Sequence, residues 1–320
     1  MGHGVTDKRI FFLINPQAGG GAARPWWEKQ QPLLDQLGID YIWEYTAAAG
    51  TAGEQIRRAV QERAAEVVLA VGGDGTVYEA VNGIVAQYAL LRPDLVFGVC
   101  PLGSGCVLAR TIYGKNRISL SDLLRRGRVQ PVDVACCSYL GSGGRRERHY
   151  YLNSFDMGAG ADTCVMVNAG GGRIKRLTHS GKLAFLLSAV RVLLSFSYTE
   201  ARVEADGQCF SGQYIIAGAG NGRYIGGGMM MFPQARLDDG KLDLLLVERR
   251  GRLGILRAFP KIYSGRHLQL PGIIYTAASS ISIVTERPLH IELDGEVPGF
   301  TDAELSVLPG ILPLLLPDKD

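Results

Sequence analysis

Over the first third of the chain, apolar residues come in short runs, and each run stops at a loop bearing glycine or proline. "RIFFLIN" (9–15), "IDYIWEYT" (39–46), "EVVLAV" (66–71) and "LVFGVCPLG" (95–103) are four such runs. Their length and β-branched content predict buried strands. Between them, "ARPWWEKQQPLLDQLG" (23–38), "AGEQIRRAVQERA" (52–64) and the stretch from Thr76 to about Tyr88 repeat apolar positions at helical spacing. Strands alternating with helices imply a parallel sheet with crossover helices.

Near Arg128 the pattern changes. "VQPVDVACCSYL" (129–140) and "RHYYLNSFDMG" (148–158) read as neighbouring strands joined by the turn "GSGGRRER" (141–148). From Val203 onward the segments "ARVEADGQCF", "GQYIIAGAGN", "KLDLLLVE", "SISIVT" and "LHIELDGE" are short, strand-like and separated by glycine turns. They predict an antiparallel β sandwich. One apolar helix, "GKLAFLLSAVRVLLSF" (181–196), interrupts it. Lys182, Arg191 and its short length argue against a membrane span. The apolar tail "ELSVLPGILPLLLPDKD" must pack somewhere, and the first domain is the expected place. The expected division is 1–128 with 304–320 in an α/β domain and 129–303 in a β-sandwich domain.

Composition narrows the class little. The 320 residues are 47% hydrophobic and 20% charged, which is a globular balance, and are enough for two cores. A net charge of +3 is too small to suggest nucleic acid. Arg145, Arg146 and Arg148, Arg173, Lys175 and Arg176, and Arg249, Arg250 and Arg252 form local basic clusters that suit loops or an anionic membrane surface. Cys100, Cys106, Cys136, Cys137, Cys164 and Cys209 show no C-x-x-C spacing, so buried thiols in a reducing compartment are expected. The N-terminus runs into a strand at Ile10 without a signal-peptide pattern.

The chemistry lies in the loops. "AVGGDGTVYEAVNGI" (70–84) joins a strand to a helix through Gly72, Gly73, Asp74, Gly75 and Thr76. Thr76 with Glu79 reads as a capping box. A glycine loop on a helix N-terminus favours phosphate, because backbone N–H groups and the helix dipole face it. Asp74 repels phosphate unless a metal ion lies beside it. The alternative is a turn that needs glycine for positive φ. "NPQAGGGAA" (15–23) and "PLGSGCVLA" (101–109), with Ser104, also follow strands and precede helices. Ligands of an open α/β sheet bind at that edge. The P-loop, G-x-G-x-x-G and G-x-S-x-G patterns are all missing from the sequence. In the second half, Asp238, Asp239 and Asp243 surround a glycine, as in a turn or an oxygen-ligand metal site. Asp294 and Glu296 flank a D-G turn, where a carboxylate could take a proton from an alcohol.

Taken together, "NPQAGGG", "GGDGTVYEAVNGI", "PLGSG", "LNSFDMGAGAD", "NGRYIGGGMMMFPQARLDDGKLD" and "LDGE" resemble, in order, the diacylglycerol kinase family of lipid kinases in its soluble bacterial branch. That family is similar to sphingosine and ceramide kinases and more distantly to NAD kinases and phosphofructokinases. The resemblance runs from about residue 9 to 300. It implies an α/β nucleotide-binding domain of the phosphofructokinase and NAD kinase type plus a C-terminal antiparallel β sandwich, with a cleft between. It implies ATP and Mg²⁺ as cofactors and a lipid hydroxyl as acceptor, with diacylglycerol first and phosphatidic acid as product.

Asn15, Pro16, Ala18, Gly19 and Thr46 would contact the nucleotide, and Ser104 would add a hydroxyl. Gly72, Gly73, Asp74, Gly75 and Thr76 would hold the phosphates and magnesium. Glu296 matches the general base, with Asp294 beside it. Asp239 through its side chain, and Arg236 and Lys241 through carbonyls, match a structural magnesium site. Relatives usually read Gly-Thr/Ser-x-Asn-Asp-Phe-Ala after the fourth strand; here Cys106 and Val107 replace the asparagine and aspartate. The implied partner is a lipid at a membrane surface, its tail in an apolar cleft of the second domain, with a homodimer as an option. The implied location is cytoplasmic, at the inner face of the membrane. An NAD kinase-like enzyme with a soluble acceptor and a non-catalytic nucleotide- or lipid-binding homologue are the other readings.

Overall fold

A computed structural model describes residues 4–87, 94–102, 106–114, 118–167, 181–249 and 251–318. Contacts divide the chain into unit 1, Met1–Val132 with Gly310–Asp320, and unit 2, Asp133–Pro309.

Unit 1 is built on the four runs that open the sequence. Strands β1 (Ile10–Ile14), β2 (Tyr41–Tyr45), β3 (Val67–Gly72) and β4 (Val96–Pro101) lie parallel in the order β4-β3-β1-β2. β1 and β3 are buried along their whole length, as helix-covered parallel strands are. Leu314, near the end of the chain, pairs in parallel with Phe97 on the other side of β4.

The glycine-rich turn α1 (Ala18–Gly21) leads into α2 (Ala23–Gln36). Then come α3 (Ala52–Gln61), α4 (Asp74–Ala86), α5 (Val107–Tyr113) and α6 (Leu120–Arg126). Helix α4 ends before Tyr88, which lies outside the described residues. Ile10, Phe12 and Ile14 share one core with Trp27 and Leu34 of α2, Tyr113 of α5 and Leu123 and Leu124 of α6.

Helices α3 and α4 pack together through Gly53 and Gly83, where a Cβ on Gly83 would overlap the backbone of Gly53 and one on Gly53 would press tightly on that of Gly83. The glycine after Asn82 is thus a packing residue. Gly83→Ala is expected to cost about 1–3 kcal/mol through overpacking, read as a lower midpoint in thermal unfolding.

Unit 2 begins within β5 (Arg128–Gly141), which pairs with β6 (Arg146–Tyr151). The run 148–158, expected as one strand, breaks at Leu152–Asn153 into β6 and β7 (Ser154–Gly158). A helical segment, α7 (159–167), follows; residues 168–180 lie outside the described residues. Next are α8 (Gly181–Ser195), β8 (Glu200–Ala205), β9 (Gln208–Gly220) and β10 (Leu242–Glu248). Helix α9 (Arg252–Ile262) and β11 (Ile273–Ala278) were not expected from the sequence. With α7 and α9 present, the sandwich is interrupted by more than one helix. β12 (Ser280–Thr285), β13 (His290–Leu293) and β14 (Glu296–Leu316) complete the chain.

One sheet runs β11-β10-β9-β7-β13-β14, and β8 and β12 bridge β9 back to β14. The long strands β9 and β14 therefore serve both layers. In β8, Ala201, Val203 and Ala205 are the buried positions, and the residues between them are exposed, which is the alternation of a strand buried on one face.

Candidate active site

The chain moves outward from β1 to β2, then returns past β1 to β3. The reversal lies between β1 and β3, where an open α/β sheet binds its ligand at the carboxyl ends of the strands. Asn15 and Gly73 begin the two loops there. Asn15 donates from Nδ2 to Thr76 Oγ1 (3.1 Å), and its Oδ1 accepts from the Gln17 N–H (2.9 Å). One side chain thus ties both loops. Beside them, Thr46 donates its N–H to Ile14 at 2.8 Å, and Leu102 to Gly72 at 3.0 Å. Pro16, Ala18 and Gly19 lie in the loop after Asn15.

The sequence expectation for Thr76 needs correction. Helix α4 starts at Asp74 with Gly73 as its N-cap and no side-chain cap, so Thr76 and Glu79 form no capping box. The Thr76 hydroxyl is taken by Asn15, 61 residues away. The positive-φ explanation of the loop also fails: Gly72, Gly73 and Gly75 all avoid positive φ. At Gly72 a Cβ would overlap the Thr76 side chain, whereas at Gly73 it would meet nothing. Gly19, Gly20 and Gly21 have φ of 62°, 72° and 93°, and the Cβ directions of Gly20 and Gly21 are open. The space above both loops can therefore take a group close to the backbone, as phosphate binding requires.

Asp74 Oδ1 accepts the Val107 N–H at 2.7 Å, so this carboxylate sits on the first turn of α5. Asp74 is also the first residue of α4, and two helix N-termini favour its charge. Because position 107 is valine, Asp74 meets an amide there without a second carboxylate. Ser104 lies outside the described residues.

In unit 2, Asp294 has φ 48° in the turn before Gly295 (φ 96°). Its carboxylate accepts the N–H groups of Leu152, Asn153 and Ser154, each at 2.9 Å. This capture of three successive amides accompanies the break between β6 and β7. Burial raises the Asp294 pKa to about 6 against the opposing pull of those bonds. Glu296 opens β14, is exposed, and pairs across the hairpin with Leu293. Asn221 is fully buried and donates to the carbonyls of Asp133 and Leu152, so it fastens the framework.

Around the expected structural cation, Asp239 Oδ1 accepts the Lys241 N–H at 3.1 Å, and the Arg236 guanidinium pairs with Asp238 at 3.1 Å. Among the described residues no group of three or more His, Cys, Asp or Glu side chains could hold a metal ion. Of the expected donors, Asp239 is the one side chain, the others being the carbonyls of Arg236 and Lys241.

Asp243, 4% exposed, has its pKa raised to about 6 by burial, against a bond from Tyr275. The folded chain holds this proton to higher pH than the unfolded one. Its contribution to stability is therefore full below about pH 4 and is lost as pH rises to about 6, by up to about 3 kcal/mol. Urea melts between pH 4 and 7 should show that decline, and Asp243→Asn should reduce it, leaving the share that Asp294 contributes over the same range.

Two residues emerge only from the structure. Asp156 (5% exposed) and His267 (2% exposed) line an apolar cavity of ≈ 80 Å³ in unit 2. His267 donates from Nε2 to the Met231 carbonyl (3.0 Å), and burial lowers its pKa, so it is neutral. A charged residue inside the strand "SFDMG" was the available sequence signal for Asp156. His267 gave none.

Comparison with known proteins matches this division of labour. Residues 9–137 match the diacylglycerol kinase catalytic domain, and residues 156–316 match the YegS C-terminal NAD kinase beta sandwich-like domain. A diacylglycerol kinase of Bacillus subtilis (strain 168) is 26% identical over 323 residues, covering 98% of this chain and 97% of that protein. One of Staphylococcus carnosus (strain TM300) is 26% identical over 293 residues, covering 91% and 90%. The crystal structure of a diacylglycerol kinase from Bacillus anthracis str. Sterne superposes with a TM-score of 0.69 at 21% identity over 97% of both chains, and supports the fold. With both domain models matched in order on the α/β and sandwich units, the chain belongs to the diacylglycerol kinase family and is a lipid kinase.

Proposed function

We propose that this lipid kinase transfers the γ-phosphate of ATP to the free hydroxyl of diacylglycerol, giving phosphatidic acid. The observation that carries the reading is the switch point of unit 1, where Asn15 joins two glycine loops and a Cβ at Gly20, Gly21 or Gly73 would meet nothing. In this reading Asn15, Pro16, Ala18, Gly19 and Thr46 bind the nucleotide, and Gly72 to Thr76 cradle its phosphates. Glu296 accepts the proton of the attacking hydroxyl. Asp294 holds the hairpin of Glu296 in shape through its three amide bonds. Magnesium would offset charge on the transferring phosphoryl group, with Asp74 as its carboxylate. Asp239 and the carbonyls of Arg236 and Lys241 would hold a second, structural cation. The acceptor's tail enters the apolar cavity of unit 2.

No helix among the described residues is long and apolar enough to cross a membrane. In this reading the enzyme meets its lipid at the membrane surface from the cytoplasmic side, with local basic clusters such as Arg145, Arg146 and Arg148 facing anionic lipid. The test is transfer of ³²P from ATP to a lipid panel in mixed micelles, with Mg²⁺ and with EDTA. Labelled phosphatidic acid, lost in EDTA, is expected. Label on NAD without lipid would favour a soluble acceptor. ATP binding without transfer to any lipid would defeat the reading.

A further inference from the structure

The apolar cavity of unit 2 has a direction. Its floor follows one row of the sheet, in which Ile216 on β9 pairs with Val247 on β10 and Val247 with Ile273 on β11, and the row runs on to Gly158 on β7, the partner of Ile216. Three strand spacings make the row about 14 Å long. Leu193, Phe259 and Ile262 from α8 and α9 also line it. At the β7 end stands Asp156, two residues from Gly158 and so on the same face of the sheet. Asp156 pairs across the strands with Glu292, in the hairpin that carries Glu296. Cys164 on α7 lies near Glu292, Asp156 and Glu296, so the three acids share one neighbourhood. A chain lying along the row with its polar end at Asp156 therefore has that end beside the hairpin of Glu296.

Asp156 is an expensive residue in such a wall. One side-chain oxygen accepts the Met157 N–H, while Oδ1 is buried without a hydrogen-bond partner. Gly160 makes room for it, since a Cβ there would overlap the carboxyl. An unpaired carboxylate is strongly disfavoured in apolar surroundings; burial pushes the Asp156 pKa far above the usual range and keeps it neutral. A neutral carboxylic acid offers one O–H donor and an acceptor. Its natural complement is an uncharged polar group.

We propose that Asp156 recognises the head of the acceptor lipid whose chain occupies this row: its carboxyl hydrogen-bonds an ester carbonyl or hydroxyl, and so selects uncharged acylglycerols over lipids bearing an amine there. The inference rests on the lipid-acceptor reading and adds to it a specificity residue and a direction for the bound chain. At ≈ 80 Å³ the cavity is smaller than the roughly 150 Å³ apolar cavity that takes up benzene. A long chain must therefore displace lining side chains, and Met229 and Met231 are of the type that repacks readily.

The test measures binding by the full chain without ATP. Dissociation constants for 1,2-dioctanoylglycerol and for dodecylamine, presented in the same micelles, are compared in wild type, Asp156→Asn and Asp156→Leu. Asp156→Asn should bind the diglyceride within about threefold of wild type, since its amide still donates and accepts. Asp156→Leu should bind it about tenfold more weakly, the loss of one hydrogen bond. The amine should bind wild type at least about tenfold more weakly than the diglyceride. No diglyceride binding to wild type, unchanged diglyceride binding in Asp156→Leu, or binding of the amine by wild type as tight as that of the diglyceride would overturn the proposal. If Asp156→Leu does not fold, the wild-type preference and the Asp156→Asn result decide alone. The phosphoryl-transfer assay is run in parallel. Binding as expected with no transfer supports this proposal while defeating the kinase reaction; transfer indifferent to Asp156 does the reverse.

Discussion

Glu296→Gln is expected to lower kcat by about 10²–10⁴-fold with little change in KM for ATP or lipid. That range is what a positioned general base contributes. Glutamine keeps the size and polarity of glutamate but cannot take the proton. The position is exposed at the start of β14, so the change should not disturb packing, and the thermal midpoint should stay within a degree or two of wild type. A variant with full kcat would remove Glu296 from the chemistry. A variant that loses activity and stability together would point to the hairpin instead. Asp294 is the contrast. Asp294→Asn cannot accept all three amide N–H groups through its nitrogen, so stability should fall by about 1–3 kcal/mol.

Asp74 carries the second large effect, and two substitutions separate its roles. Asp74→Ala removes both the charge proposed to lie beside the phosphates and the acceptor of the Val107 N–H. Activity should fall by about 10²–10³-fold, as when one electrostatic partner of a transition state is deleted, and stability by about 0.5–2 kcal/mol for the lost cap. Asp74→Asn keeps an oxygen for Val107 and should stay close to wild type in stability. It should still lose most activity, because a neutral amide holds a cation poorly. Equal activity of wild type and Asp74→Asn at every Mg²⁺ concentration would show that the carboxylate acts only as a cap. Val107→Asp then asks the converse: a second carboxylate at the amide that Asp74 uses should repel it and lower thermal stability.

The parts of the fold that were legible in the sequence are those set by neighbours along the chain. β3 and α4 were readable because an apolar run meets Gly72 and Gly73 and is followed by Val77, Val81 and Ile84 at helical spacing. The glycine loop and the D-G turn were readable for the same reason. The failures are all non-local or masked by breakers. Thr76 resembles a cap until Asn15, from the loop after β1, takes its hydroxyl. The break at Leu152–Asn153 depends on Asp294, about 140 residues later. Helix α9 contains Gly254 and Pro260, which hid its periodicity, and β11 mixes small and polar residues in "IIYTAA". Asp156 was read past because its cost arises only when β9, α7 and α8 close over it.

The sheet of unit 1 is not finished by the first 132 residues. Its pairing beyond β4 comes from the strand containing Leu314, on the far side of all of unit 2 in the sequence. During synthesis from the N-terminus, β4 therefore remains an open edge while the sandwich sequence is made, and an open edge invites pairing with another chain. The order of translation makes unit 1 the first to start folding and the last to close. A chain truncated after residue 309 should be trapped by a chaperone or aggregate, because the residues that pair with β4 are missing.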